Sequence, residues 1–212
     1  MDKEKMYEIY TDYLLEVNSH TNLTSITDPK EIEIKHYQDS LSVLPYIKEG
    51  SKVLDIGAGA GFPGIPLAIE KDIDLTLIDS VNKKVKFMNE VIEKLDLDKA
   101  VAIHTRAEDF AKENRESYDI VVSRAVANMS TLSEYCLPFL KIGGIFIALK
   151  GPKADEELDQ AKNSIKVLGG EVKKIDRLNL DGNDRVNIIV EKVHPTKKQY
   201  PRGKNLPKKN PL

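Results

Sequence analysis

The hydrophobic positions of the chain begin with a helical pattern. Apolar residues recur at helical spacing and predict a first helix over about residues 3–18: Tyr7, Tyr10, Leu14, Leu15 and Val17. Asp28-Pro29 is typical of an N-cap followed by proline at the first helical position, and predicts a second helix that ends near Leu44. No strand pattern separates these helices, so they form an extension in front of the remaining pattern.

From Lys52 onward, short apolar runs alternate with amphipathic segments. The runs predict strands at residues 52–56, 74–79, 100–104, 118–123 and 144–149. The intervening segments predict helices near residues 64–70, 82–95, 107–112 and 130–140, with a further helix near 153–168. Short, continuous apolar runs are typical of parallel strands that are buried on both faces of a sheet.

The pattern closes with two antiparallel strands. Residues 171–180 and 186–193 are predicted strands, and the turn sequence Asp181-Gly182-Asn183-Asp184 joins them as a hairpin. A plain dinucleotide-binding fold would finish on a parallel strand. The sequence therefore predicts an α/β fold of class I, the Rossmann-like fold of S-adenosylmethionine (AdoMet)-dependent methyltransferases, with a mostly parallel seven-stranded sheet and an N-terminal helical extension.

The length of 212 residues and the apolar content of 41% fit one domain. We expect N-terminal helices over residues 1–48, an α/β core over 49–193 and a tail over 194–212. The charged N-terminus argues against a signal peptide, no apolar run is long enough to span a membrane, and the single Cys136 cannot form an internal disulfide. We therefore expect a cytoplasmic protein that binds no membrane and no metal, and no obligate protein partner is indicated.

Charge is distributed unevenly. The chain has a formal net charge of −2, but the tail carries six basic residues and no acid, which leaves −8 for the rest: Lys197, Lys198, Arg202, Lys204, Lys208 and Lys209. Prolines at 195, 201, 207 and 211 predict an extended strip that does not fold as a helix and keeps its charges in water. Such a strip suits RNA, with Tyr200 for stacking and Arg202 for phosphate, although a solubilising tail is the alternative.

A glycine-rich loop follows the first predicted strand, from Gly57 to Gly64. Its glycines, including Gly57 and Gly59, let the backbone turn sharply beside a ligand. Gly59 to Gly64 match the dinucleotide motif G-x-G-x-x-G, but Pro63 removes an N–H that a diphosphate would need, and Asp55 would repel an anion. Because AdoMet carries an ammonium and a sulfonium, the loop favours AdoMet over NAD.

Two further strand ends carry candidate cofactor residues. Asp79 ends the second strand, where it could accept both ribose hydroxyls of an adenosyl group, or only cap the next helix. After the third strand, the backbone of Ala107 and the side chain of Glu108 could reach the adenine edge, with a helix-start acid as the alternative for Glu108.

The end of the fourth strand, Ser123-Arg124-Ala125-Val126, should face the methyl acceptor. The chain lacks the Asn/Asp-Pro-Pro turn typical of amine methylation there, and Cys136 lies in an apolar helix rather than in a nucleophile's position. Guanine N7 needs no base because its lone pair is free at neutral pH, so positioning alone can catalyse its methylation. Arg124 could bind the methionine carboxylate or the guanine edge, or instead pair structurally with Asp55 or Glu108.

Further polar residues are candidates for contacts on the acceptor side. Lys150 ends the fifth strand, where it could contact RNA phosphate or be a plain surface lysine. Lys35, His36 and Asp39 share one face of the second helix; there, His36 is expected to be hydrogen-bonded rather than catalytic.

Three other functions remain open on these residues alone. A methyltransferase for a small molecule or protein would need a closed aromatic pocket and no basic tail. A nicotinamide-dependent dehydrogenase would rest on the literal glycine motif. A non-catalytic ribosome-assembly factor could retain AdoMet binding without transfer.

Motifs along nearly the whole chain resemble the bacterial ribosomal RNA small subunit methyltransferase G family, also called glucose-inhibited division protein B. The matching segments are Asn22-Leu23-Thr24, Lys35-His36, Asp39-Ser40-Leu41, residues 54–64, Ile78-Asp79-Ser80, Lys83-Lys84, Arg106-Ala107-Glu108, Ser123 to Ala127, Lys150-Gly151, Tyr200-Pro201-Arg202 and Pro207. The ending Gly61-Phe62-Pro63-Gly64 with Arg124-Ala125-Val126-Ala127 is more specific than the glycines alone.

The resemblance implies AdoMet-dependent methylation of guanine N7 in the decoding-site loop of 16S rRNA, with S-adenosylhomocysteine as the product. The partner it implies is 16S rRNA or the small ribosomal subunit. By motif it implies cofactor contacts at Gly57, Phe62, Ala107, Glu108 and Arg124, and it supplies no catalytic base.

Overall fold

The predicted βα series folds into one sheet. The structure is a computed structural model that describes residues 1–124 and 126–212, and in that part of the chain seven strands lie in the order β3-β2-β1-β4-β5-β7-β6. The strands are β1 (Lys52–Ile56), β2 (Asp74–Asp79), β3 (Ala100–His104), β4 (Tyr118–Arg124), β5 (Leu140–Lys150), β6 (Gly170–Leu180) and β7 (Asn183–Lys192). Strands β1 to β5 pair in parallel, whereas β7 runs antiparallel to both β5 and β6, which confirms the predicted hairpin.

Helices lie before, between and after the strands, and those between the strands lie near the predicted places. They are α1 (Lys3–Thr21), α2 (Pro29–Ile32), α3 (Asp39–Leu41), α4 (Gly64–Glu70), α5 (Asn82–Lys94), α6 (Ala107–Asn114), α7 (Met129–Cys136), α8 (Ala154–Val167) and α9 (Leu206–Lys209). Asp28 caps α2 as expected, because its Oδ1 accepts hydrogen bonds from Lys30 N and Glu31 N at 2.9 and 3.0 Å.

The second predicted helix is not one regular helix. After α2, residues Glu33–Gln38 form a π-helical turn, α3 follows, and Leu44–Tyr46 form a 3-10 turn. A π-helical turn adds one residue to a helical turn and is frequent at functional sites. Hydrophobic spacing could not reveal it, because the apolar period stays helical.

Each face of the sheet is covered by an apolar layer. One layer packs α1, α4 and α5 on the sheet and includes the fully buried Tyr10 and Leu14. The other packs α6, α7 and α8 and also takes in Tyr200 of the tail. The N-terminal segment (residues 1–48) and the tail (residues 194–212) thus lie on opposite faces of the sheet, and both reach the carboxyl ends of the strands.

The tail differs from its prediction as a solvated, helix-free strip. Residues Leu206–Lys209 are helical, with Pro207 buried in the first turn, and Thr196 and Tyr200 are 5% and 7% exposed. A proline at the first helical turn loses no helical hydrogen bond, so this short helix forms despite the proline content.

Among the helices of residues 1–124 and 126–212, none combines the length and the apolar character that a bilayer span requires. Ala125, from the motif at the end of β4, lies outside the described residues.

Candidate functional site

A cleft of about 520 Å³ opens at the carboxyl ends of β1, β2, β3 and β4. Its floor is the loop from Gly57 to Phe62, and its sides come from the residues after β2, β3 and β4. The N-terminal segment supplies Thr24 and His36 to one rim, and the tail supplies Asn205 and Lys208 to the other. Ligands of open α/β sheets bind at this edge, where loops from neighbouring strands meet.

The glycine loop turns as its sequence predicts. Gly57 and Gly59 have φ values of +71° and +64°, a left-handed backbone that side chains disfavour. A Cβ on Gly57 would also lie 2.4 Å from Cγ2 of Val126, a residue that lines the cleft beside β4. The loop is therefore held against the segment that follows β4, and no larger residue fits at Gly57.

Asp79 lies at the cleft and connects two loops. Its Oδ2 accepts a hydrogen bond from Gly59 N at 3.0 Å, and its Oδ1 accepts one from Val81 N at 2.9 Å. Each carboxylate oxygen has a second lone pair, so the group can still accept hydrogen bonds from a ligand's hydroxyls. The contact with Val81 N lies before α5, whose N-cap is Val81 and whose first turn receives no side-chain cap, so the capping alternative is wrong and ribose binding stays a prediction.

Ala107 and Glu108 begin α6 on the adjoining wall of the cleft. The side chain of the preceding residue, Arg106, accepts no hydrogen bond from this helix, which leaves the N–H groups of Ala107 and Glu108 available as donors. Glu108 is half-buried, and no ion-pair partner for it is found among residues 1–124 and 126–212. A backbone donor and a carboxylate acceptor side by side match the edge of an adenine.

Arg124 is held by the N-terminal segment. Its Nη1 donates to Lys35 O at 2.9 Å and to Asp39 Oδ2 at 3.1 Å, and its Nη2 lies 3.0 Å from His36 Nδ1. The structural partner is therefore Asp39, not Asp55 or Glu108 as the sequence suggested. The π-helical turn brings Lys35 O, His36 and Asp39 to the same guanidinium.

His36 is a buried, hydrogen-bonded residue. Its ring stacks on Phe62 with the centroids 4.4 Å apart, and its Nε2 lies 2.9 Å from Thr24 Oγ1. Burial, with a smaller contribution from the charge of Arg124, lowers the pKa of His36 to about 4. Because Arg124 donates to Nδ1, the neutral ring carries its proton on Nε2, so neither nitrogen is free to act as a base.

Phe62 is enclosed by the same segment. Its ring also stacks on Tyr10 at 5.2 Å, and the Arg124 guanidinium lies 5.2 Å from its centroid. Phe62 lines the cleft, although its side chain is only 3% exposed. It therefore couples the N-terminal segment to the glycine loop.

Asp55 does not take the position expected of it. The side chain is fully buried, and its Oδ2 accepts a hydrogen bond from Gly64 N at 2.8 Å at the start of α4. Burial raises the pKa of Asp55 to about 7. Its carboxylate stabilises the helix N-terminus, so direct repulsion of a diphosphate by Asp55 no longer supports the preference for AdoMet.

Lys150 and Cys136 are internal. Lys150 is 7% exposed, and its Nζ donates to Ala127 O at 2.6 Å and to Glu157 Oε2 at 2.7 Å. These contacts correct the assignment of Lys150 to RNA phosphate and also the alternative of a surface lysine. Cys136 is fully buried, and burial raises the pKa of its thiol, which agrees with its predicted place in the core.

Tyr200 and Arg202 also bind within the chain. Tyr200 packs in the apolar layer against α7, and Arg202 forms hydrogen bonds with both carboxylate oxygens of Glu134, from Nε at 2.9 Å and from Nη2 at 2.7 Å. The sequence assigned this pair to RNA; the structure shows that their contacts anchor the tail instead. Because the Glu134 carboxylate on α7 is buried, it would be strongly destabilising without a cationic partner.

Several cleft residues were missing from the sequence-based assignment. Thr24, Lys84, Tyr135, Asn205 and Lys208 line the cleft together with the predicted residues. The basic tail was a signal for Lys208, but nothing local distinguished it from Lys209. Among residues 1–124 and 126–212, no group of three or more His, Cys, Asp or Glu side chains is placed to hold a metal ion.

Comparison with known proteins gives a family match over most of the chain. The model of the family described as rRNA small subunit methyltransferase G matches residues 3–187. The "Ribosomal RNA small subunit methyltransferase G" of Lactobacillus johnsonii is 47% identical over 99% of this chain and 92% of its own length. The protein of the same name from Desulforamulus reducens is 49% identical over 97% of this chain and 89% of its own.

Solved structures share the fold at low identity. A chain of the complex between the Haloferax volcanii Trm112 methyltransferase activator and a methyltransferase matches with a TM-score of 0.64 and 16% identity, over 87% of this chain and 98% of that chain. P. horikoshii TYW2 in complex with MeSAdo matches with a TM-score of 0.61 and 19% identity, over 74% of this chain and 62% of that chain. With the strand order, these matches show the class I methyltransferase fold.

Proposed function

The chain belongs to the rRNA small subunit methyltransferase G family, and on that premise we propose that it transfers a methyl group from AdoMet to N7 of a guanine in the decoding-site loop of 16S rRNA. We assign a different role to each part of the chain. The core, residues 49–193, binds the cofactor, and the N-terminal segment and the tail flank the acceptor.

The chemistry of the cleft fits AdoMet. Asp79 retains lone pairs for the two ribose hydroxyls, and the Ala107 N–H and the Glu108 carboxylate can pair with the adenine edge. Gly57 and Gly59 line the cleft without a side chain, which lets the loop backbone approach the ligand. When bound, AdoMet supplies an electrophilic methyl group, and S-adenosylhomocysteine is the product. Phe62 and Arg124 complete the proposed cofactor site at the acceptor side.

One observation carries the choice of N7: the only imidazole among the described cleft residues, His36, has both nitrogens engaged and a pKa of about 4. Guanine N7 carries a free lone pair at neutral pH, so its methylation removes no proton. The residues of the cleft then have only to align the base with the methyl group and exclude water, which is catalysis by positioning.

Mass spectrometry of 16S rRNA nucleosides tests this function. A strain that lacks the gene should lose one 7-methylguanosine, and restoring the gene should return it. Loss of a methyl group at another position would refute the N7 assignment, and unchanged rRNA would favour a small-molecule or protein substrate or a non-catalytic assembly role.

Calorimetry tests the cofactor separately. The purified chain should bind AdoMet and S-adenosylhomocysteine, and NAD should bind more weakly or not at all. Tighter binding of NAD would return the glycine motif to the dehydrogenase interpretation.

A further inference from the structure

The tail makes an unfavourable backbone turn at the rim of the cleft. Lys204 and Asn205 are consecutive non-glycine residues with left-handed φ values of +58° and +57°. Such conformations are disfavoured for residues that carry a Cβ and persist only where the surroundings hold them in place. The neighbouring Gly203, which could adopt this conformation freely, does not have a positive φ.

Anchors on both sides hold this turn. Before it, Arg202 is bound to the buried Glu134 of α7 through its backbone N at 2.8 Å as well as its side chain. After it, Thr131 Oγ1 donates to Pro207 O at 2.9 Å, and Pro207 is buried. The six residues from Arg202 to Pro207 are thus fixed at both ends on one helix, so the position of the turn is set by α7.

The turn presents polar side chains to the cleft. Asn205 and Lys208 both line it, one helical turn apart, and Arg106 Nη1 lies 3.4 Å from Asn205 Oδ1. Among residues 1–124 and 126–212, no carboxylate lies within ion-pair distance of Arg106 or Lys208, in contrast to the paired Arg202. Both cations are exposed, so they are available to an anion from outside the chain.

The cations continue beyond the cleft. Arg106 also lines a second groove, between α6 and the tail, to which Lys112, Lys198 and Lys204 contribute. Acids are present there too, since Glu108 and Asp109 line the same groove and Asp109 pairs with Lys112 at 2.8 Å. Lys198 and Lys204 are exposed and have no such partner among the described residues. A single carboxylate would occupy one point of such a run, whereas a polyanionic strand follows its length.

We propose that Arg106, Asn205 and Lys208 bind a backbone phosphate of the acceptor RNA next to the methylated nucleotide, and that the strand continues along the groove toward Lys204. The inference rests on the proposed function and names the site for its substrate. The target base then enters between this wall and the opposite rim formed by Thr24 and His36. Asn205 fixes the direction of Arg106, and the two cations supply the charge.

Adjacent lysines of α9 provide a matched test. Lys208 lines the cleft and Lys209 does not, although both are exposed in the same short helix. We expect Lys208→Ala and Arg106→Ala each to raise the KM for 16S rRNA about tenfold, the effect of one charge-assisted hydrogen bond. The slope of log KM against log salt should fall by about 0.7 for each lost phosphate contact. Lys209→Ala should leave both quantities as in the wild type.

Calorimetry with S-adenosylhomocysteine accompanies these kinetics and reports on folding and on the cofactor. Binding should be unchanged in all three variants. If Lys208→Ala matches Lys209→Ala in KM and salt slope while the wild type methylates rRNA, the phosphate site is refuted and the proposed function stands. Weaker S-adenosylhomocysteine binding with unchanged RNA kinetics would assign Lys208 to the cofactor's carboxylate. A wild type that transfers no methyl group to rRNA would overturn both proposals.

Discussion

The N-terminal segment and the tail both complete the cleft, but they are attached by different forces. The N-terminal segment is part of the main apolar layer: Tyr10, Leu14 and Ile32 are fully buried, and the rings of Tyr10 and His36 sandwich Phe62. It also makes polar contacts with the core, among them the buried pair of Arg124 with Asp39 and the hydrogen bond from the Tyr10 hydroxyl to Ala60 O. Separating this segment from the sheet would expose apolar core residues to water, which costs free energy.

The tail is held by discrete polar anchors. Arg202 binds Glu134, Arg115 Nη2 donates to Thr196 O at 2.8 Å, and the buried Lys192 donates to Leu137 O at 2.6 Å and to Thr196 Oγ1. Tyr200 and Pro207 are its main buried apolar contacts. A segment attached in this way can open without unfolding the sheet, because few apolar contacts are lost. The comparison indicates that the N-terminal segment fixes the shape of the cleft. The tail instead places basic side chains at the cleft and can detach without unfolding the sheet.

The largest loss of stability is expected when Arg124, which binds the N-terminal segment through Asp39, is replaced. Arg124→Ala leaves Asp39, which is 3% exposed, with Arg185 at 3.3 Å as its remaining ion-pair partner among the described residues. Leaving a buried charge without its partner costs about 3 to 5 kcal/mol, and because Arg185 remains, the free energy of unfolding should fall by about 3 kcal/mol without any cofactor present. Urea denaturation measures it. Arg177→Ala, which breaks the exposed pair with Asp155, is the control and should leave the free energy of unfolding nearly unchanged, because water screens an exposed ion pair.

An Arg124→Ala protein as stable as its parent would mean that Arg124 does not hold the segment. Its proposed role in the cofactor site would then be its main one.

The next largest loss of stability depends on pH and arises from His36 in the N-terminal segment. The pKa of His36 is about 4 in the folded protein, below the value of 6.5 for a free imidazole. As the pH falls from 6.5 toward 4, the unfolded chain binds a proton that the folded chain does not, so stability contributed by neutral His36 is lost over this window. The wild type should lose on the order of 2 to 3 kcal/mol relative to His36→Gln across it.

Taking the difference between the two proteins removes the opposite trend from Asp55, whose raised pKa favours the folded state at low pH. His20→Gln, at an exposed position of α1, is the control. Parallel pH curves for the wild type and His36→Gln would show that the imidazole is accessible to water and that the segment opens readily.

The corresponding change in the tail should have a smaller and more local effect. Arg202→Ala leaves the Glu134 carboxylate without its guanidinium, at a cost of about 1 to 3 kcal/mol, limited because the tail can move away and admit water. Hydrogen exchange should accelerate over residues 196–212 and stay unchanged in the strands, and S-adenosylhomocysteine should still bind. Lys197→Ala, at an exposed tail position, is the control. Faster exchange throughout the sheet would show that the tail belongs to the same cooperative unit as the N-terminal segment.

The same division explains what the sequence could predict. The bounds of β1 and β2 and the antiparallel hairpin follow from local periodicity and turn residues, which act within a few positions. The order of the strands and the cofactor edge then follow from the class of fold. Predicted site residues of the core, such as Asp79 and Glu108, lie at the cleft because strand ends of a parallel sheet meet at one edge.

Pairs that are distant in sequence were not predictable. Arg202 and Glu134 are 68 positions apart, and Arg124 and Asp39 are 85 apart, so no local pattern shows that these charges meet. The sequence assigned Arg202 and Lys150 to RNA because it does not show the acidic partners that these residues have in the folded chain. The structure supplies each with an internal carboxylate, and it leaves Lys208 at the cleft because α7 sets the position of the tail.

The smallest effects come from single hydrogen bonds, and they distinguish the two segments most sharply. Tyr10 of α1 donates from its hydroxyl to Ala60 O in the glycine loop at 2.5 Å, and Thr131 of α7 donates to Pro207 O in the tail at 2.9 Å. Tyr10→Phe and Thr131→Val each remove one buried hydroxyl and leave a carbonyl without its donor, at a local cost of about 1 kcal/mol.

The two variants should differ in where that cost is measured. Since Tyr10 belongs to the apolar layer that unfolds as a whole, Tyr10→Phe should lower the global free energy of unfolding by about 1 kcal/mol and weaken S-adenosylhomocysteine binding severalfold through the glycine loop. Thr131→Val should leave both quantities nearly unchanged, because the tail can detach before the sheet unfolds, and should instead speed hydrogen exchange near Lys208 severalfold. Equal global losses in the two variants would contradict the separable tail, since they would mean that Pro207 and Ala60 are released in the same unfolding event.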